Sequence, residues 1–259
     1  DKKLKIYLSE KIKVNSFNGS LLWEPWEILK SDKTPYKVFT PFYKRGCLSA
    51  VNPRVPKSEK INFFNHNFRV TNISDLGLLE NKKWENEILS QWRVGEDSSI
   101  EIMKSFFQNG VQNYSEGRNF PYLPGTSRLS PFIKHGQIHV ETIWDECQKI
   151  KKIGTSKFLA EIGWREFNHT LINNFPYMLK GNYSKKLDKF PWQKNLKFLS
   201  AWKKGLTGYP IVDAGMRELY STGWMHNRIR MIVGSFLVKH LLINWIEGEK
   251  YFKNCLLDY

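Results

Sequence analysis

The run Gly125-Thr126-Ser127-Arg128-Leu129-Ser130-Pro131 gathers a glycine, three hydroxyls and an arginine at the edge of a predicted helix. Backbone N–H groups and hydroxyls can donate to a phosphate there, while the guanidinium neutralises its charge. An ordinary helix cap with a surface arginine explains the same residues, and the run alone leaves both readings open. It is not a Walker loop, because no GxxxxGK[ST] occurs. Farther on, Glu161, Arg165 and His169 recur at helical spacing beside Trp164. They form either a solvated i, i+4 ion pair worth about 0.2–0.5 kcal/mol or the wall of a cleft. In Trp224-Met225-His226-Asn227-Arg228-Ile229-Arg230-Met231, residues Asn227, Arg230 and Met231 share a helical face. An amide there can donate and accept along a heterocycle edge; Asn227 as a plain helix cap is the competing reading. His135 and His139 lie four apart, but Gly136 interrupts the helix and neither an HExxH glutamate nor a third ligand accompanies them, so no metal site is expected. His66, His226 and His240 are scattered and read as structural. No GxSxG, Cys/His pair or paired-carboxylate motif stands out, which weakens hydrolytic readings.

The elements that must hold these groups are mostly helical. Ile100, Met103, Phe107, Val111 and Tyr114 follow at spacings of three or four, with Ser98 and Ser99 as N-cap candidates. Further helices are predicted over 140–150, 158–173, 196–203, 211–220 and 227–245, with a turn at 205–210. Near the start, Leu4, Ile6 and Leu8 alternate, which predicts a short strand over 5–14 before an Asn- and Gly-bearing turn at 16–20. From Trp23 to about Gly95 the chain is rich in Pro, Asn, Lys and aromatics with little period, the pattern of a long connection over a domain surface. The expected division is therefore 1–23, the tail of an α/β domain; 24–95, a linker; and 96–259, a helical domain of roughly 160 residues.

Forty basic residues against 25 acidic ones leave a formal charge of +15, which calls for an anionic partner, nucleic acid first. At 41% hydrophobic and 15% aromatic the chain can fill a core, which excludes wholesale disorder. No window reaches the ~18 uncharged apolar residues of a membrane span; the most apolar stretch, 231–243, contains Lys239 and His240. Cys47, Cys147 and Cys255 are widely spaced and odd in number, which supports neither a disulfide framework nor a cysteine zinc site and fits a reducing, cytoplasmic setting. The chain starts at Asp1 without a basic-then-apolar leader and stops at Tyr259 just after a helical pattern, so it reads as a piece cut at both ends.

Four motifs in order, 125–131, Trp164-Arg165-Glu166-Phe167, Thr207-Gly208-Tyr209-Pro210-Ile211-Val212-Asp213-Ala214 and 223–231, resemble the photolyase/cryptochrome family, and Phe39-Thr40-Pro41-Phe42 looks like that family's linker motif. The resemblance covers nearly the whole chain. It implies a mainly α fold with a helical FAD-binding domain, and a flavoprotein. Its motifs carry flavin contacts onto Tyr114, Thr126, Ser127, Arg128, Leu129 and Ser130, so the phosphate reading of that loop is favoured. By the same resemblance Phe158, Glu161, Arg165 and Asn227 line the flavin pocket, with Phe158 where many members have Trp. That swap keeps an aromatic ring and loses an indole N–H. Arg230 and Asp258 look like the family's buried ion pair beside the isoalloxazine ring, where a positive group favours anionic reduced flavin.

Six-four photolyases and animal cryptochromes place histidines at the positions of Asn227 and Met231, and plant cryptochromes usually have Asp at the first. The chain is most like bacterial class I cyclobutane pyrimidine dimer photolyases, which carry Asn and Met. The implied activity is light-driven electron transfer from reduced FAD to a dimer in DNA. Glu161 and Asn227 would address the lesion, Trp164 would stack on it, and Met231, Arg118 and Arg228 would complete the DNA-side set. Trp192 matches the surface member, and Trp245 the middle member, of the family's row of three tryptophans. The flavin-proximal member, a further acidic contact and the residue facing flavin N5 belong to a segment after Tyr259. An antenna pigment of folate or deazaflavin type would sit in the α/β domain and is not assigned. A monomer acting on DNA, away from membranes, is the expected state; a cryptochrome-type light sensor and a basic nucleic-acid scaffold are the competing readings.

Overall fold

The computed structural model describes residues 2–53, 60, 62, 71–78 and 83–259. Among them the α-helices of five or more residues are α1 (Lys2–Ser9), α2 (Lys83–Leu89), α3 (Glu96–Ser105), α4 (Ser130–Lys134), α5 (Val140–Gln148), α6 (Thr155–Asn174), α7 (Leu196–Lys204), α8 (Pro210–Thr222), α9 (Asn227–Ser235) and α10 (Trp245–Cys255). The described residues contain no strand, and their one isolated β-bridge joins Leu29 to Pro35. The chain is mainly α, as expected.

α6 is the axis of one core. Phe158, Leu159, Ile162, Gly163, Glu166, Phe167 and Thr170 recur at helical spacing and are all buried. They pack with Leu22, Trp23, Phe42, Phe106, Phe107 and Trp144. Gly163 is required by contact, since a Cβ there would stand 2.5 Å from the Tyr43 ring. A second core joins α7 to α10 through Trp202, Met216, Leu219, Met225, Val233 and Leu237. α8 begins with Pro210 in its first turn and ends at Gly223 with φ 69°, the usual placement of these two residue types. Before it, the Asp213 carboxylate accepts from the Thr207 N–H, the Thr207 hydroxyl and the Gly208 N–H at 2.8, 2.6 and 2.9 Å, which ties the 207–209 loop to the helix.

Four expectations are corrected. Residues 5–14 do not form a strand: Lys2–Ser9 is helix α1, with Leu4 57% and Ile6 55% exposed. A strand needs a partner for its backbone groups, whereas a helix closes its own hydrogen bonds. Ser98 and Ser99 are not N-caps, because α3 starts at Glu96 after Gly95, and the buried Ser99 donates to the carbonyls of Glu96 and Gln137. The helix expected through 100–114 widens to π-turns at Phe106–Gly110 and tightens at Val111–Asn113, where Gly110 leaves room for the Phe106 ring. The helix expected over 227–245 breaks after the π-turn Phe236–His240: Leu242 has φ 54°, and Asn244 caps a new helix by accepting from the Ile246 N–H. Apolar period alone cannot register such breaks, because the buried face continues through them.

Candidate functional site

Where α6, the 125–130 loop, the start of α9 and the segment after α10 meet, they enclose a cavity of about 240 Å³. Its wall contains Tyr114, Thr126 through Ser130, Glu161, Asn227, Arg230 and Asp258, all expected at the flavin, together with Arg118, expected on the DNA side, and with Trp224, Met225 and His226. The loop enters through a close backbone crossing: a Cβ on Gly125 would lie 2.4 Å from the Gly117 carbonyl. Leu129 is buried and anchors the loop's far end, so α4 starts at Ser130 with Pro131 in its first turn. Between them Arg128 takes a left-handed backbone, φ 53°. Its guanidinium stands 4.5 Å from the centre of the Trp224 ring and 5.1 Å from that of Trp92. The arginine is thus engaged by two indoles, while Thr126 and Ser127 line the cavity wall.

Opposite the loop, Asp258 Oδ2 accepts from Arg230 Nη2 at 2.8 Å and from the Ser130 hydroxyl at 2.6 Å. Arg230 Nε also donates to the Met225 carbonyl at 2.8 Å. Asp258 Oδ1 is buried without a partner, and so is His226 Nε2. His226 Nδ1 accepts from the Arg228 N–H at 3.1 Å, which makes His226 rather than Asn227 the cap of α9. A neutral ring accepting at Nδ1 carries its proton on Nε2. Burial, then the Arg228, Arg118 and Arg230 charges, lowers the His226 pKa and favours that neutral form. The residues of the cavity wall therefore carry one orphaned acceptor and one orphaned donor, beside Thr126 and Ser127, whose hydroxyl already accepts from the Leu129 N–H at 3.4 Å and keeps its own proton to donate. That donor set fits a ligand with both a hydrogen-bonding heterocycle and a polyhydroxyl or phosphate arm, as FAD has.

Glu161 is ion-paired with Arg118, and Lys157 lies 3.9 Å from the same oxygen. Arg118 is also within 5.5 Å of the Tyr114 ring. Burial, ahead of the opposing Arg118 charge, pushes the Tyr114 hydroxyl up to about 12, so it stays protonated. The i, i+4 pair between Glu161 and Arg165 does not form: Arg165 instead donates to Glu166 at 2.6 Å and to the Ser20 carbonyl at 2.7 Å. Glu166 in turn accepts from the Leu22 N–H at 2.8 Å, and burial raises its pKa. Arg165 and Phe158 are absent from the cavity wall. Phe158 lies behind it, its ring 5.3 Å from that of Tyr114 and 5.0 Å from that of Phe106.

The remaining expected residues do not line the cavity. Trp164 is 41% exposed and stacks on Phe39. Arg228 donates to Asn119 Oδ1 at 2.6 Å, and Met231, 56% exposed, lies one turn beyond Asn227. Trp192 packs on Phe190 at 4.4 Å, and Trp245 donates to Asn182 Oδ1 at 3.0 Å. Their segments meet where the Gln193 N–H donates to the Leu242 carbonyl at 2.8 Å. His135 contacts the Leu257 carbonyl and His139 caps α5; among the described residues no cluster of metal-ligating side chains occurs. His66 lies outside the described residues. Sequence reasoning missed His226 and Trp92. The one signal for His226 was its place just before a helix start, while nothing local marked Trp92.

Among the described residues no helix is long and apolar enough to cross a membrane. Residues 158–259 match the family model described as the FAD binding domain of DNA photolyase, and residues 1–59 match that described as DNA photolyase. The chain is 39% identical to a deoxyribodipyrimidine photo-lyase of Agrobacterium fabrum over its whole length and 55% of that protein. It is 37% identical to that of Escherichia coli over 93% of this chain and 52% of the relative. With cryptochrome-2 of Arabidopsis thaliana it shares 36% identity over 95% of this chain and 43% of the relative. The chain spans about half the length of the curated photo-lyases it matches. The structure of a bacterial class III photolyase from Agrobacterium tumefaciens superposes with a TM-score of 0.84 at 38% identity, covering 99% of this chain and 55% of that one. That is a class other than the class I that the motifs resemble. Two family matches, these relatives and a cavity whose unpaired donor and acceptor suit a flavin nucleotide agree, and the chain belongs to the photolyase/cryptochrome family.

Proposed function

We propose that this chain forms the flavin- and lesion-binding part of a deoxyribodipyrimidine photo-lyase, which splits cyclobutane pyrimidine dimers in DNA under light. The observation that carries the reading is the pairing at the start of α9. Asn227 lines the cavity and Met231 stands exposed one turn later, the residues that the dimer-repairing branch has at these positions. Bound reduced FAD would supply, on absorbing light, the electron that opens the cyclobutane ring and would take it back afterwards, with no net redox change.

The chain's own residues bind and orient. Thr126, Ser127 and Ser130 offer hydroxyls to the cofactor's polar arm, and the Arg230–Asp258 pair fixes charge at the opposite wall. Arg118 holds the Glu161 carboxylate at the cavity edge, where it can accept from a flipped-out base. Asn227 presents an amide that both donates and accepts. Three residues along α6 from Glu161, Trp164 offers a stacking surface. The charge of +15 draws DNA in without reading its sequence. Trp192 and Trp245 lie on an electron path toward the flavin. Residues 1–23 are the tail of an α/β domain, 24–95 a linker and 96–259 the catalytic domain. All three cysteines are free, in keeping with a reducing cytoplasm, and the working state is a monomer.

The test is light-versus-dark repair of a thymine-dimer oligonucleotide by the full-length protein, loaded with FAD and chemically reduced, followed by product chromatography. Repair in light alone is expected. The 36% identity to cryptochrome-2 favours a second reading, a blue-light receptor. Bound flavin without repair in either condition would establish that reading instead.

A further inference from the structure

Trp164 is an exposed indole that does not hang free. Its ring centre lies 3.8 Å from that of Phe39, with 10° between the planes, the tightest parallel aromatic contact among the described residues. Phe39 is itself backed by Tyr43 at 5.5 Å and 14°, so Tyr43, Phe39 and Trp164 form a three-ring stack. Phe167 meets the edge of Trp164 at 5.7 Å and 75°. The base of the stack is built into the core: the Tyr43 ring fills the notch that Gly163 leaves in α6, and Phe42, beside Tyr43, is 1% exposed. Phe39 opens a one-turn helix, Phe39–Pro41, that leads into a π-turn at Phe42–Gly46, so its ring is carried by hydrogen-bonded helical backbone. One face of Trp164 is thus occupied and one edge held, yet 41% of the residue remains accessible.

An indole with free χ angles loses rotamer entropy when a base stacks on it. One already clamped between rings has lost that freedom in advance, and preorganisation of this kind raises affinity without any new contact to the ligand. The second face of a clamped ring is a base-sized platform, and base–aromatic stacking tolerates any sequence. We infer that Phe39 is a positioning residue for lesion binding: it sets the plane of Trp164 so that a flipped-out pyrimidine stacks on the opposite face. The inference rests on the proposed repair function and adds to it a residue from outside the helical domain, one that never touches the DNA.

A double-mutant cycle on the full-length, FAD-loaded protein tests this. Its readout is the Kd for a duplex carrying one cis-syn thymine dimer and for the same duplex undamaged. Trp164→Ala should weaken binding of the dimer duplex about 5- to 100-fold. Phe39→Ala should weaken it about 3- to 10-fold with little change for undamaged DNA. In the Trp164→Ala background the Phe39 change should have almost no further effect. Phe39→Leu keeps bulk without the ring and should lose as much as Ala, whereas Phe39→Tyr should bind like the parent. Additive losses, full binding by Phe39→Leu, or equal losses for damaged and undamaged duplex would each overturn the positioning role. If Trp164→Ala alone binds the dimer normally, it is the stacking role of Trp164 in the proposed function that fails.

Discussion

The guanidinium of Arg128 stands over the Trp224 indole at 4.5 Å, with Trp92 on it at 5.1 Å, while the Arg128 backbone is left-handed. Trp92 is fixed by donating from Nε1 to the Thr222 carbonyl at 2.8 Å, and the Thr222 hydroxyl accepts from the Trp224 N–H at 3.0 Å. One threonine at the end of α8 thus sets both indoles. A left-handed non-glycine costs about 1–2 kcal/mol, and two cation–π contacts of about 0.5–1 kcal/mol each offset it.

That balance separates two variants. Arg128→Ala keeps the strained backbone and loses both stacks, so it should be destabilised by about 1–2 kcal/mol. Arg128→Gly loses the stacks but relaxes the backbone, and should recover about 0.5–1 kcal/mol of that loss. Urea midpoints measure both, and identical midpoints would remove the strain argument.

Asp258→Asn should be more costly. Asp258 is 5% and Arg230 26% exposed at the side chain, so the variant leaves a half-buried guanidinium without its counter-charge. A loss of about 2–3 kcal/mol is expected, with faster FAD release. Thermal unfolding with and without added FAD reports both, and an unchanged melting temperature would mean that solvent compensates Arg230.

His226 predicts a pH dependence. Its pKa lies below the ordinary 6.5 because of burial and of Arg228, Arg118 and Arg230. As pH falls through about 6.5 the unfolded chain takes up the proton first, while the folded ring stays neutral to lower pH. The stability this group contributes is therefore full above the unfolded pKa and is lost as pH falls toward the folded one. His226→Asn keeps a capping oxygen for the Arg228 N–H and cannot titrate. Its stability should fall less steeply with acid than that of the parent. His169, lowered by burial and by Arg165 and Lys134, titrates in both proteins and cancels in the comparison.

DNA binding should be salt-dependent and additive in phosphate contacts. The logarithm of affinity for undamaged duplex is expected to fall linearly with the logarithm of salt concentration. Arg228→Ala should reduce that slope by about 1. An unchanged slope would place Arg228, held at Asn119, away from the phosphates.

Local patterning was enough for much of this. The buried stripe of α6 repeats every three or four residues, and Pro210 and Gly223 mark the ends of α8, so these elements and the Glu161–Trp164 face are written in adjacent residues. The loop at 125–131 was ambiguous by itself, a helix cap or a phosphate loop, and only its order with the motifs at 164–167, 207–214 and 223–231 favoured the second reading. What local patterning could not contain is partnership. Glu161 and Arg165 sit four apart yet pair with Arg118 and Glu166, because burial against neighbouring segments decides which charge lies nearest. The same holds for helix α1, where a missing strand partner overrides alternation. Ser130 reaches Asp258 across 128 residues and Arg228 reaches Asn119 across 109. The cavity wall exists only where chain closure has brought such distant groups within hydrogen-bond range, and residue spacing carries no record of that closure.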